Sequence, residues 1–211
     1  MGGFDVNKVL YMFPNFKGNF TTAIETGTLF GESTEIMSYW FDEVHTIEIE
    51  KHLYDAANKK FQGNKKINCH YGDSPDIIKK LSYQVKDKVL FFLDAHWSGD
   101  ENVNWEKSKW NGWSGKGYNT KTGCRNNDPS KSENQNPLDK ELETIVNDYK
   151  QECIIYIDDM DKFDIMGNAI LNAGFEGEDW SHLSVQKIFK IVKPRLITSQ
   201  FYRYELLLHL K

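Results

Sequence analysis

Asp94, His96 and the vicinal pair Asp158-Asp159 are the residues of this chain best placed for chemistry, because the acids close the apolar runs KVLFFL and CIIYI. If those runs are neighbouring strands, three carboxylates meet at one rim of a sheet. Clustered carboxylates repel one another and hold their protons unless a cation neutralises them. An all-oxygen donor set without cysteine favours Mg²⁺, with Mn²⁺ or Ca²⁺ also suitable, over zinc. The competing account has Asp158 capping the next helix and Asp159 in solvent. His96 lies two residues beyond Asp94, so on an extended backbone both side chains point the same way. An imidazole there could take a proton from a hydroxyl, with Asp94 as the second candidate base. A structural histidine bonded to the following loop would read the same.

A second constellation lies near the start. A β-rich run, residues 21–26, leads into Glu25-Thr26-Gly27-Thr28-Leu29-Phe30-Gly31-Glu32-Ser33. Glycines at a strand-to-helix junction let the backbone approach a ligand and free the amides at the helix start. Glu48 follows Gly27 by 21 residues and closes the next strand, where an acid can hold both hydroxyls of a ribose. The spacing is Gly-x-x-x-Gly rather than the dinucleotide pattern Gly-x-Gly-x-x-Gly. Glu25 would repel a pyrophosphate but suits a cationic ligand, such as a positively charged methyl donor with an amino acid tail. A plain tight turn with Glu48 on a solvated face is the alternative.

The elements that must position these groups alternate along the chain. Strands are expected at 21–26, 44–49, 66–71, 88–93 and 153–157, and helices at 32–42, 51–61, 74–84, 136–150 and 161–173. Asn136-Pro137 supplies a helix start and Gly174 a helix stop. The stretches 183–192 and 201–210 read as two antiparallel strands. This is an α/β sandwich: a mostly parallel, seven-stranded sheet ending in an antiparallel hairpin.

Residues 97–136 interrupt the pattern. From 98 to 136 the Val/Ile/Leu/Met/Phe set is represented by Val103 alone, yet Trp97, Trp105, Trp110 and Trp113 lie in or beside the segment. A loop this long is more often functional than idle; the alternative is a surface insertion pinned by Trp anchors. The 211 residues fit one domain, 1–211, with this segment as an insertion or lid after the fourth strand. A net charge of −5 argues against nucleic acid as a partner. No apolar run reaches the ~20 residues of a membrane span, and three cysteines without metal-like spacing suggest a cytoplasmic protein.

The stretches ETGTLFGES, TIEIEKHLY, YGDSPDII, LFFLDAHW and IYIDDMDKF resemble those of class I S-adenosylmethionine-dependent methyltransferases, whose Rossmann-like sandwich the resemblance implies. Within that group they are most similar to metal-dependent sugar O-methyltransferases of the macrocin type and catechol-modifying relatives, and more narrowly to methyltransferase domains of large DNA viruses' glycan-building proteins. The match covers roughly residues 20–175 outside the insertion. It implies that Glu25, Thr26, Gly27, Thr28, Gly31 and Ser33 cradle the donor's amino acid end, that Glu48 holds its ribose, and that Gly72, Asp73 and Ser74 border its adenine. It also implies Asp94, Asp158 and Asp159 as metal ligands. Relatives often carry a second acid where this chain has His96, or a Lys where it has Trp97. The implied reaction is O-methylation of a sugar or glycan hydroxyl, with the tryptophans of the insertion against the acceptor's C–H faces. The other readings are a non-catalytic glycan-binding module and a catechol-type methyltransferase.

Overall fold

The computed structural model describes residues 3–96, 136–170 and 179–211. Seven strands form one sheet: β1 (Thr22–Thr26), β2 (Glu43–Glu48), β3 (Ile67–Tyr71), β4 (Val89–Leu93), β5 (Cys153–Ile157), β6 (Leu196–Phe201) and β7 (Leu206–Leu210). Their order is β3-β2-β1-β4-β5-β7-β6. The first five run parallel, and β7 lies antiparallel to both β5 and β6. The helices are α1 (Val6–Met12), α2 (Glu32–Ser38), α3 (Lys51–Lys60), α4 (Ser74–Gln84), α5 (Leu138–Asp148) and α6 (Val185–Val192).

Strands β1, β4 and β5 are buried at every residue, as their uninterrupted apolar runs require of a sheet covered on both faces. Alternate residues feed two cores. Val89, Phe91, Leu93, Ile155 and Ile157 pack with α4, α5 and α6, whereas Leu90, Phe92, Ile154 and Tyr156 pack with α1, α2 and α3. Thr26 is in register with Leu93, and Leu93 with Ile157. The next residue of each strand, Gly27, Asp94 and Asp158, therefore emerges at one rim. That rim lies where the strand order reverses between β1 and β4, the crevice in which open α/β sheets bind ligands.

The C-terminal third departs from the sequence expectation in two places. Residues 185–192 form helix α6, not a strand. Ser184 caps it, its hydroxyl accepting from Lys187 N at 3.0 Å, and Ile188 and Val192 are buried one turn apart. The first hairpin strand is β6 instead. As the mostly exposed sheet edge it has no apolar alternation to reveal it. We predict that Ser184→Ala lowers stability by ~1 kcal/mol in denaturant titration.

The helix expected at 161–173 is absent over 161–170. A single 3₁₀ turn at Met160–Lys162 gives way to a tight loop in which the Asp164 carboxylate accepts from Met166 N and Asn168 N. Gly167 there adopts φ +80°. The Asp side chain offers the backbone a partner that competes with the helix. Residues 171–173 lie outside the described residues, as does Gly174. Helix α1 was not expected; Asp5 caps it by accepting from Asn7 N at 2.9 Å. Among the described residues no helix is long and apolar enough to cross a membrane.

Candidate functional site

The β1 turn is fixed by two glycines with positive φ. Gly27 has φ +81°, and a Cβ on it would lie 2.6 Å from the carbonyl oxygen of Asp94. Gly31 has φ +70°, and a Cβ on it would lie 2.7 Å from the Phe61 ring. The first strand's exit is thus pressed against the rim that carries Asp94. We predict that Gly27→Ala destabilises the fold by roughly 2–4 kcal/mol, from left-handed strain and overpacking together. The same variant should lose any ligand held by the turn, which thermal melting with and without ligand would read.

The turn does not free its amides as its glycines suggested. Gly27 N and Thr28 N donate to Ile47 O at 3.0 and 3.2 Å, and Gly31 N donates to Thr28 O at 2.7 Å. Leu29 N donates to Glu48 Oε2 at 2.9 Å. The β2 exit engages three of them and a carbonyl of the turn itself the fourth, so these four amides form no phosphate cradle. Glu48 is buried, which removes the solvated-face alternative. Its other oxygen accepts from Glu50 N at 2.9 Å, and burial raises its pKa against these bonds.

Glu25 sits beneath the turn, 1% exposed. One of its oxygens accepts from the hydroxyls of Thr34 and, at 2.6 Å, Thr46. Thr28 joins the cluster through Thr46 at 2.6 Å. Burial pushes the Glu25 carboxyl up to about 7, against the pull of the two hydroxyls. Thr34 and Thr46 went unnoticed in the sequence because a buried threonine on a helix or strand has no distinguishing pattern. Ser33 Oγ accepts from Phe4 N at 3.1 Å, tying the N-terminal segment to α2.

Across the rim, Asp94, His96 and Asp159 each bring one ligand atom to within 4.8 Å of the others. His96 Nε2 is 2.9 Å from Asp159 Oδ2 and 3.9 Å from Asp94 Oδ1. Asp158 is in the same crevice, but its Oδ1 accepts from Asp159 N at 2.8 Å. Asp159 itself stands at φ +60°. The converging set is therefore two carboxylates and an imidazole, not three carboxylates.

Burial raises Asp94 well above the usual carboxylate range, with the Asp158 charge adding to it. Burial likewise pushes Asp158 up to about 6. Burial also acts on Asp159, but His96 and Lys162 outweigh it and hold that carboxyl low. The donor set fits a divalent ion, and its imidazole suits Mn²⁺ or a softer first-row ion better than Mg²⁺.

The sequence reading missed Glu141 of α5. It is 1% exposed, accepts from the Ser74 hydroxyl and bonds Thr26. Burial pushes it up to about 7. It links the starts of α4 and α5 to the exit of β1, and it lines the same crevice as Asp94, Asp158 and Trp180. Thr26 Oγ1 also accepts from Asp94 N at 3.3 Å. Gly72 and Asp73 lie at the β3 exit, where Gly72 N donates to Glu48 O at 3.0 Å. Away from the rim, His45 Nδ1 and His70 Nε2 face each other at 3.0 Å on β2 and β3. Trp97, Trp105, Trp110 and Trp113 lie outside the described residues.

No protein-family model and no curated protein matches the chain. Solved structures do. A Podospora anserina methyltransferase with SAH bound matches all of this chain and 80% of its own at TM-score 0.54 and 13% identity. An inferred methyltransferase from Streptococcus mutans, in complex with SAH, matches over 100% of both chains at 0.52 and 9%. An inferred methyltransferase from Bacillus halodurans matches over 93% of this chain and 71% of its own at 0.51 and 10%. At such identities the likeness is one of fold: the chain shares the Rossmann-like α/β architecture of these structures.

Proposed function

We propose that this chain is an S-adenosylmethionine-dependent O-methyltransferase that works with a divalent cation on a hydroxyl of a sugar or glycan. The observation that carries this reading is the pairing, across the β1/β4 switch point, of an acidic turn without a phosphate cradle and the Asp94–His96–Asp159 set. Bound S-adenosylmethionine supplies an activated methyl group on a sulfonium. The cation, when bound, lowers the pKa of a neighbouring hydroxyl by its charge.

The chain's own residues do the rest. The carboxyls of Glu25, Glu48 and Asp94 lie around the turn, and the donor's sulfonium and ammonium groups would favour their ionised forms. Glu48 would take the ribose with the second lone pair of each oxygen, since both already accept from backbone amides. Asp159 orients the imidazole of His96 through their 2.9 Å contact. His96, so oriented, takes the proton of the acceptor hydroxyl, with Asp94 as the second candidate base. Position supplies most of the acceleration, up to ~7–11 kcal/mol for two reactants held in line.

The test is a calorimetric titration with S-adenosylhomocysteine, with and without Mn²⁺, using Glu48→Gln as the comparison. Micromolar binding that weakens about tenfold or more in the variant is the expected result, equivalent to ~1.4 kcal/mol for the lost charged contacts. Absence of binding by the wild-type chain would end the methyltransferase reading and leave the glycan-binding module in its place.

A further inference from the structure

Two buried hydrogen-bond donors in the acidic crevice have no partner among the described residues. Asn136 Nδ2 and Trp180 Nε1 are both without a hydrogen bond, on residues only 3% and 6% exposed. Both residues line the crevice that also holds Asp94, Glu141 and Asp159. Each is otherwise firmly placed. Asn136 Oδ1 accepts from Leu138 N at 3.3 Å at the start of α5, and its carbonyl lies 3.1 Å from His182 Nε2. The Trp180 ring packs edge-on against Phe163, and 5.9 Å from the His96 ring. Orphaned buried N–H groups are rare in folded proteins, and each one calls for an explanation.

The other polar side chains lining the crevice are four acids and the His96 imidazole. Asp94, Glu141, Asp158 and Asp159 present oxygen, and among the described lining residues no Lys or Arg stands ready to pair with an anionic ligand. A neutral hydroxyl satisfies both sides at once: its oxygen accepts from N–H, and its own proton goes to a carboxylate. We propose that Asn136 Nδ2 and Trp180 Nε1 are the specificity-determining donors that receive hydroxyl oxygens of an uncharged polyol acceptor. The inference rests on the methyltransferase reading for the placement of the donor methyl, but its own claim concerns the acceptor's contacts. It predicts discrimination by charge: a neutral pyranoside is bound, whereas its carboxylate-bearing counterpart is excluded.

The experiment uses ¹⁵N-labelled protein saturated with S-adenosylhomocysteine. The indole N–H resonance of Trp180, assigned by its loss in Trp180→Phe, is followed while methyl gluco-, manno-, galacto- and xylopyranosides, and separately glucuronate, are added to tens of millimolar. Trp180→Phe keeps an aromatic ring against Phe163, and Asn136→Ser keeps an oxygen for the α5 start.

At least one neutral pyranoside is expected to move the Trp180 signal saturably, and glucuronate is expected to leave it in place. Each variant should weaken pyranoside binding about tenfold or more, roughly one hydrogen bond to a buried donor. Its affinity for S-adenosylhomocysteine should stay within about twofold, the sign that the fold and the donor site survive the substitution. The proposal is overturned if S-adenosylhomocysteine binds but no neutral pyranoside moves the signal. It is equally overturned if glucuronate binds as well as the neutral sugars, or if both variants keep wild-type pyranoside affinity. Failure of S-adenosylhomocysteine itself to bind would instead strike the reading beneath it.

Discussion

Asp159→Asn should lower methyl transfer by ~10²–10⁴-fold, the range associated with a positioned proton-transfer group, while leaving the fold intact. Asp159 has φ +60°, a conformation that Asn adopts almost as readily as Asp and that most other residues resist. The asparagine variant therefore preserves the turn, whereas Asp159→Ala would confound chemistry with strain. What it removes is the charge that holds His96 at 2.9 Å and one of the three converging ligand atoms.

Two readouts separate these roles. If the triad holds the cation, Mn²⁺ affinity measured by electron paramagnetic resonance should fall by at least ~10–100-fold, the loss seen even for outer contacts of a metal site. If Asp159 acts through His96, the double variant Asp159→Asn/His96→Ala should be scarcely slower than the worse single variant, because residues acting as one unit are not additive. Unchanged Mn²⁺ binding together with near-wild-type turnover would remove Asp159 from the site altogether.

Glu141→Gln should stabilise the ligand-free protein by about 3 kcal/mol at pH 8 and by little at pH 5. Burial raises this carboxyl from 4.5 to about 7, and each pKa unit corresponds to ~1.4 kcal/mol. The sign follows from proton counting. A carboxyl whose folded pKa exceeds its unfolded value binds more protons in the folded state between the two. Stability is therefore greatest below about 4.5, declines as the pH rises, and reaches its lower level above about 7. Glutamine removes the charge that becomes buried and flattens that decline.

For a domain of this size the gain at pH 8 corresponds to ~6–12 °C in melting temperature. Glu25, raised to about 7 by the same cause, should behave alike in Glu25→Gln. His45 and His70 work in the opposite direction. Burial lowers both to about 4, so their contribution is lost as the pH falls from 6.5 towards 4. Comparing each Gln variant with wild type at the same pH cancels that imidazole contribution. Equal melting temperatures for wild type and Glu141→Gln at pH 8 would show that Glu141 is not a buried charge. A cationic ligand in the crevice should shift the wild-type melting temperature more at pH 8 than at pH 5, since it neutralises what burial penalises.

The sequence by itself determined the parallel half of the sheet and the rim of the site. The runs KVLFFL and CIIYI can only be strands covered on both faces. Equal strand length then brings Gly27, Asp94 and Asp158 level, which the register of β1, β4 and β5 repeats. Glu48 at the β2 exit was legible for the same reason.

Tertiary structure decided what each acid does there. Asp158 and Asp159 are adjacent in the chain, yet one bonds its neighbour's amide while the other meets His96. No residue pattern announces that division. Glu141 was illegible because it flanks the apolar stripe of an ordinary amphipathic helix; only the packing of α5 against β1 and α4 buries it. The same holds for Asn136 and Trp180, whose donors become unpartnered only when α5 and the segment before α6 close on one crevice. Local sequence dictates which elements form and which residues stand at their ends. Burial, and with it charge state and unmet hydrogen bonding, is a property of the neighbours that the fold brings from elsewhere in the chain.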